Sequence, residues 1–378
     1  MIYLDNNATT KLDAEVFKAM EPYLKGEYFG NPSSLHTAGR MVRDAVEESR
    51  EQVASFLNCS VDEIIFTSGG TESINAAISS FKKITNNSNI LISSVEHAAV
   101  SDFTAKKMDE SSVIKIGVDA NGIIDLDQLR HALDRSISLI SIIYAHNETG
   151  ILSPVSEISE ICLKKGITCH YDAVQAVGKI PVDVSQLECE LLSLSGHKIH
   201  GPKGIGALYI KDGHELEPFQ LGGGQEKGIR AGTESVASIV GFGKACEIAH
   251  SDMKTNTRKL IALRNEFEKA ISKKFDSAVV VGRKVDRLPN TSNICFVGYE
   301  AESLIPLLDQ LGICVSHGSA CSSGSWGPPR VLTEMGYSDS IAKGSLRFSF
   351  SKYNEKNEIK SVITALEQAC SILDTVQN

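Results

Sequence analysis

Leu191-Leu192-Ser193-Leu194-Ser195-Gly196-His197-Lys198-Ile199-His200-Gly201-Pro202-Lys203-Gly204-Ile205-Gly206-Ala207-Leu208-Tyr209-Ile210 reads as an apolar run, a glycine-rich turn and a second apolar run. Runs of that length bounded by glycine and proline predict buried strands, so Lys198 falls on a tight turn beside a sheet. An amine held against protein and flanked by His197 and His200 would have its pKa lowered, which suits condensation with an aldehyde. The competing reading is a surface lysine in a glycine-rich loop. The stretch alone leaves both open.

Upstream, Cys169-His170-Tyr171-Asp172-Ala173-Val174-Gln175 reads as the end of a strand running into a helix. His170 and Asp172 share one face by the strand period of two. A carboxylate at a strand's C-terminal end is where an α/β enzyme meets its ligand. Pyridoxal phosphate needs such a carboxylate to keep its ring nitrogen protonated, so that the ring can take up electrons from a carbanion. Gln175, one helical turn on, could hydrogen-bond the ring's phenolic oxygen. For Asp172 an N-cap is the alternative. Ile64-Ile65-Phe66-Thr67-Ser68-Gly69-Gly70-Thr71-Glu72-Ser73 predicts a strand, a glycine turn and a helix start. The N–H groups at that start, with the Thr71 hydroxyl, offer a site for the cofactor phosphate, although Thr71 could equally be only a cap.

Around these motifs the middle of the chain alternates strand-like and helix-like segments. Apolar runs lie at residues 90–94, 113–116, 139–144 and 167–171, with helical patterns such as 126–133 and 155–164 between them. Alternation of this kind predicts a mostly parallel sheet covered on both faces. A long helical stretch over 235–275, free of proline, leads to a C-terminal α/β portion with strand signals at 279–281, 293–297 and 346–350. A helix over 354–375 closes the chain.

Composition narrows the function classes. With 378 residues and 42% hydrophobic content the chain can bury a large core and should form two domains. A net charge of −9 without a basic block gives no electrostatic footprint for nucleic acid. No apolar run approaches the roughly 18 residues that span a bilayer. The nine cysteines form no CxxC motif, as expected of reduced thiols in a cytoplasmic enzyme, and no leader peptide is expected.

Further motifs occur in a fixed order: Tyr3-Leu4-Asp5-Asn6-Asn7-Ala8-Thr9-Thr10, Gly30-Asn31-Pro32-Ser33-Ser34-Leu35-His36, the Gly70-Thr71 segment, Val95-Glu96-His97-Ala98-Ala99-Val100 and His146-Asn147-Glu148-Thr149-Gly150. The Asp172 and Lys198 motifs follow, then Arg230-Ala231-Gly232-Thr233-Glu234 and Gly318-Ser319-Ala320-Cys321. Together they resemble the pyridoxal-phosphate-dependent cysteine desulfurases, the NifS/IscS-like group of the class V aminotransferase family. The resemblance runs nearly end to end. It implies an α/β fold of the fold-type I pyridoxal-phosphate transferases, with a large domain built on a mostly parallel sheet and a smaller C-terminal α/β domain. The expected division is a segment 1–15 packing with the small domain, a large domain over 16–255, and a small domain over 256–378 that carries the cysteine loop.

The resemblance also assigns roles. Lys198 would hold pyridoxal 5'-phosphate, Asp172 its ring nitrogen, and Gln175 its phenolic oxygen. His97 would stack on the ring and move protons, although a helix-start residue with a satisfied ring is the alternative. Asn147 would support the ring; Gly70, Thr71, Ser195 and His197 would serve the phosphate. Thr233 would reach the cofactor phosphate of a neighbouring subunit, making the protein a homodimer. Arg347, in Ser345-Leu346-Arg347-Phe348-Ser349, and Asn31 would bind substrate, Arg347 by gripping its α-carboxylate in two places. A structural ion pair is the other reading of Arg347.

Cys321 decides among reactions. A cysteine among Gly318, Ser319, Ala320, Ser322, Ser323 and Gly324 sits in a segment too polar for a core, and a mobile loop could carry its thiolate to a substrate and then to an acceptor. The implied activity is conversion of L-cysteine to L-alanine, with sulfur leaving as a Cys321 persulfide for an acceptor protein such as an iron–sulfur scaffold. Selenocysteine lyase and class V aminotransferase are the alternatives. Cys314, His317 and Cys321 also have C-x2-H-x3-C spacing, but nothing nearby supplies a fourth ligand, so no metal is expected. His317 and Arg330 depart from the family, which usually has a small or hydroxylic residue and Ser there.

Overall fold

The computed structural model describes residues 1–84, 89–133, 136–318 and 327–377. Its strands in chain order are β1 (Ile2–Tyr3), β2 (Ile64–Thr67), β3 (Asn89–Ser93), β4 (Val113–Ile116), β5 (Ile137–Ile143), β6 (Thr168–Asp172), β7 (Leu191–Ser195), β8 (Gly206–Ile210), β9 (Ala278–Val280), β10 (Thr291–Phe296), β11 (Ile313–Cys314) and β12 (Ser345–Ser349). Seven of them form one sheet in the order β2-β8-β7-β6-β5-β3-β4. The neighbours from β7 to β4 pair in parallel, while β8 runs antiparallel to both β7 and β2. A glycine-rich turn short enough to reverse the chain between β7 and β8 allows only that orientation, because parallel neighbours need a long crossover.

Side chains of the sheet alternate between two apolar cores. Leu91, Ile140, Tyr171, Leu192, Leu194 and Tyr209 pack on one face, with Ile158 of the helix Val155–Lys165 and Phe242 of a much longer helix. Ile90, Ile92, Leu139, Leu191, Leu208 and Ile210 pack on the other, with Ile74, Ala77 and Ile78 of the helix Gly70–Ile84. The strands are therefore apolar on both sides, as a covered sheet requires.

The long helix, Val236–Lys274, spans two bodies. Its first half contributes Ile239, Phe242 and Cys246 to the large core. Its second half contributes Leu260, Leu263, Phe267 and Ile271 to a separate core, over the antiparallel sheet β12-β10-β9. The start of the chain joins this second body. Ile2 and Tyr3 pair in parallel with Ile313 and Cys314, and Leu4 is buried in the same core.

Two local differences from the sequence expectations have simple causes. Residues after Asp172 form two successive turns instead of a helix, with Val177 N donating to Ala173 O at 3.0 Å and Ile180 N to Ala176 O at 3.1 Å. Gly178, at φ 78°, breaks the helical conformation within the second. The last helix spans Glu358–Gln377, starting later than residue 354. Asn354 Nδ2 and the Glu355 N–H both donate to the Glu358 carboxylate, at 3.0 Å each, and hold the preceding residues in a turn.

Candidate active site

The C-terminal ends of β6 and β7 open onto a cavity of about 150 Å³. Asn7, Gly70, Thr71, His97, Asn147, Asp172, Gln175, Ser195, His197, Lys198 and Arg347 line it, so residues scattered over most of the sequence converge on one space. Thr233 and Asn31 are exposed and do not line it; Asn31 Oδ1 instead accepts from Ser33 N at 2.9 Å. Cys321 lies outside the described residues.

One wall is the turn after β2. Gly206 begins β8 directly against it: a Cβ there would stand 2.5 Å from Leu194 O and 2.7 Å from Gly69 Cα. Glycine at this position lets the turn lie on the sheet end beside Ser195. Gly70 opens the following helix, and a Cβ on it would meet Val174 Cγ2 at 2.5 Å. The first N–H groups of that helix have no carbonyl four residues earlier within it, so they are available to an anion.

Asp172 ends β6, in register with Ser193, and is 4% exposed. Burial raises its pKa above the usual carboxylate range, against the pull of His97, the Val174 N–H and Lys198. Its Oδ1 accepts from Val174 N at 3.0 Å, so the carboxylate both caps the turn and lines the cavity. His170 shares its face but is walled in, with Ser141 Oγ 2.8 Å from Nδ1 and Ser193 Oγ 2.8 Å from Nε2. Burial lowers its pKa to about 3. The strand period put the two side chains together; only the strand's end reaches the cavity.

Lys198 Nζ donates to Asn7 O at 2.6 Å and to Ala8 O at 2.8 Å. The two flanking imidazoles do not act as the sequence suggested. Burial, with Lys198 and Lys203 nearby, pushes His197 down to about 4, and burial pushes His200 down to about 4. Both are therefore neutral near pH 7 and bring no positive charge to the amine. His197 Nδ1 lies 3.1 Å from Thr9 Oγ1, and His200 Nδ1 donates to Lys11 O at 2.9 Å.

His97 caps the helix Ala98–Lys107, its Nδ1 accepting from Ala99 N at 3.1 Å. The cap makes Nδ1 an acceptor and so places the proton of the neutral ring on Nε2. The helix-start reading of His97 is thus present, and the ring also lines the cavity. Arg347 on β12 is 1% exposed. Its Nη1 donates to Asn147 O at 3.0 Å and its Nη2 to Asp5 Oδ1 at 2.7 Å. The ion-pair reading is thus present, while Nε is buried with no hydrogen-bond partner among the described residues.

His97 and Asn147 also border a larger cavity of about 500 Å³, lined further by Glu96, Glu148, His317, Gly318, Gly327 and Arg330. The segment bearing Cys321 leaves the described chain at Gly318 and returns at Gly327, both on this rim. His317 Nδ1 lies 2.8 Å from Ser345 O and Nε2 3.0 Å from Gly327 O, so both ring nitrogens face backbone carbonyls rather than a metal position. Among the described residues no three His, Cys, Asp or Glu side chains gather as metal ligands. Arg330 donates to Glu96 O, tying the residues after Gly327 to the neighbour of His97.

The sequence reading passed over four residues at this site. Asn7 carries bonds to Lys198, Gln175 and Lys179. Lys179, an amine inside the apolar Val177-Gly178-Lys179-Ile180-Pro181, was the visible anomaly. Glu96 and Glu148 each keep one buried oxygen without a partner among the described residues.

The donor set fits pyridoxal phosphate. The Gly70-Thr71 helix start, the buried Asp172 carboxyl group, Lys198 and the His97 ring all line the same space. Comparison with known proteins agrees. The family model described as aminotransferase class-V matches residues 2–362. The chain is 44% identical over 380 residues to "Cysteine desulfurase IscS" of Dictyoglomus turgidum, covering 99% of this chain and 96% of that one. It is 43% identical over 365 residues to "Cysteine desulfurase NifS" of Azotobacter vinelandii, covering 96% and 90%. The solved NifS-like protein of Rickettsia africae superposes with a TM-score of 0.90 at 34% identity, covering 98% of this chain and 99% of that one. No helix among the described residues is long and apolar enough to cross a membrane.

Proposed function

Since the chain belongs to the aminotransferase class-V family and is a pyridoxal-phosphate-dependent cysteine desulfurase, we propose the following division of labour among its residues. The observation that carries it is the convergence of Lys198, Asp172, His97, the Gly70-Thr71 helix start and Arg347 on one cavity.

When bound, pyridoxal phosphate supplies an aldehyde for an amine and a cationic ring that draws electrons from the substrate Cα. Lys198 would be the amine that holds it, and its free amine would take the substrate Cα proton and later return it. Asp172 would pair with the ring nitrogen and keep it protonated. Gly70, Thr71, Ser195 and His197 would hold the phosphate, and Asn147 and Gln175 would support the ring. Arg347 would receive the substrate carboxylate. His97 would lie over the ring and, with its proton on Nε2, would give that proton at the substrate.

Cys321 then attacks the substrate sulfur as a thiolate. An S–S bond forms and the C–S bond breaks, its electron pair remaining on the substrate carbon. That carbon takes a proton and leaves as L-alanine, while Cys321 keeps the sulfur as a persulfide. The rim position of Gly318 and Gly327 supports this assignment. A sulfur-acceptor protein such as an iron–sulfur scaffold receives the persulfide in the cytoplasm. Thr233, exposed and away from its own chain's cavity, supports a homodimer in which it completes the neighbouring site.

The test is stoichiometric. Loaded enzyme given L-cysteine should form one L-alanine per sulfur released, and the mass of the Cys321 peptide should rise by one sulfur atom. Cys321→Ser should bind L-cysteine with its visible spectral change yet form no persulfide. Persulfide on Cys314 in place of Cys321, or pyruvate or another keto acid in place of alanine, would sink the reading.

A further inference from the structure

Lys179 stands out among the described residues as a buried amine that no step above uses. It is 7% exposed, and both its hydrogen-bond partners are amide oxygens: Asn7 Oδ1 at 3.1 Å and Gln175 Oε1, in a shorter contact. Gln175 Nε2 donates to Asn7 O at 2.9 Å, the same carbonyl that accepts from Lys198 Nζ at 2.6 Å.

We propose that Lys179 is a positioning residue that locks the amides of Gln175 and Asn7, so that Gln175 presents an N–H to the cofactor and Asn7 O stays aimed at Lys198. The proposal rests on the assignment of the cavity to pyridoxal phosphate. An amide can rotate to exchange its oxygen and NH2, and the two ends are distinguished only by what they meet. Here Lys179 Nζ donates to Oε1 of Gln175, and Asn7 O, a peptide carbonyl, offers only lone pairs to Nε2. The rotated amide would place oxygen against oxygen. In the observed orientation one Nε2 hydrogen goes to Asn7 O, and the described protein takes no second one. Gln175 lines the cavity, so that hydrogen is the donor a phenolate-like ring oxygen would meet.

Asn7 is used up in the same way. Its Oδ1 accepts from Lys179 and, at 3.0 Å, from Asn290 Nδ2; its Nδ2 donates to Thr291 Oγ1 at 2.9 Å and Asn147 O at 3.2 Å. The amide of Asn7 cannot turn without breaking these bonds, so its peptide carbonyl is held where Lys198 and Gln175 both reach it. Burial holds the Lys179 amine well below the usual lysine range, and Lys198 and Arg347 push in the same direction.

A double-mutant cycle separates this role from mere packing. The readouts are the affinity of the apoenzyme for pyridoxal phosphate and the pH midpoint of the visible band of the loaded enzyme. Lys179→Met should weaken cofactor binding by roughly three- to tenfold, the range for one lost buried hydrogen bond, and should shift the midpoint. Gln175→Ala should weaken binding likewise, and Lys179→Met combined with Gln175→Ala should cost less than the two single changes together, the part beyond Gln175→Ala being what Lys179 exerts through Asn7. Additive effects, or an unchanged midpoint in Lys179→Met, would overturn the proposal. Should Lys179→Met not fold, Lys179→Gln is read in the same cycle with the same outcomes. If the wild-type protein shows no visible band with pyridoxal phosphate, the cavity assignment itself has failed; if it does and the cycle is additive, only the role of Lys179 has.

Discussion

Arg347 Nη2 stands 2.7 Å from Asp5 Oδ1, joining the last strand of the second body to a residue just beyond β1. The same guanidinium lines the cofactor cavity, so Asp5 already neutralises the cation proposed to receive the substrate carboxylate. Two anions then compete for one buried guanidinium.

Replacing Asp5 with Asn should tilt that competition. The amide oxygen can still accept from Arg347, but without negative charge. Substrate should bind more tightly, with KM for L-cysteine falling roughly three- to tenfold, while stability drops by about 1–3 kcal/mol because a charge-assisted hydrogen bond is weakened. Steady-state kinetics and thermal melts check both. A raised KM would show that Asp5 orients Arg347 rather than competing with substrate.

Lys198 should be the residue that carries the cofactor. Borohydride reduction of the loaded protein followed by peptide mapping should tag Lys198, and Lys198→Ala should carry no tag. Lys179 is the informative control, since it too reaches Asn7 from inside the protein. A tag on Lys179 would reverse the two assignments.

Glu96 should make stability fall with pH. It is 2% exposed, and burial raises its pKa to about 8, partly opposed by Ser93 Oγ at 2.5 Å and the Ile143 N–H at 3.0 Å. The folded protein therefore holds a proton that the unfolded chain loses above its ordinary carboxylate pKa. That contribution is complete below the unfolded value and is lost as pH rises from there through about 8, on the order of a few kcal/mol in all. Glu96→Gln keeps an oxygen for both donors and should flatten the decline. Denaturant titrations from pH 5 to 9 on both proteins would show it; parallel slopes would refute it.

Thr233 should act across a dimer. A dimer of one Lys198→Ala subunit with one Thr233→Ala subunit pairs an intact Lys198 with the Thr233 of its neighbour in one of the two sites. Such a mixed dimer should recover activity that neither parent dimer has. No recovery, or a fully active monomer in sedimentation, would remove Thr233 from the site.

Much of the fold was legible because it depends on local pattern. The apolar runs around residues 90, 114, 140 and 169 are strands β3 to β6, since a sheet covered on both faces demands continuous apolar strands. The long stretch after Ser235 is one helix for want of a breaker. The turn after Asp172 was misjudged because a single left-handed glycine, Gly178, outweighs the helical pattern before it. Asp172, Lys198 and the Gly70-Thr71 start were visible as chemistry placed at strand ends.

What the chain alone determined was thus the kind of groups present and the elements that bear them, both set by neighbours in sequence. Which groups face one another was decided by tertiary structure. Arg347 meets Asp5, and Asn7 meets Lys179, across separations of 342 and 172 residues that no local pattern encodes. The charge states follow from the same packing. His197 and His200 look like cations beside Lys198 in the sequence, yet burial makes them neutral, because removing a charge from water is costly only where the fold excludes water.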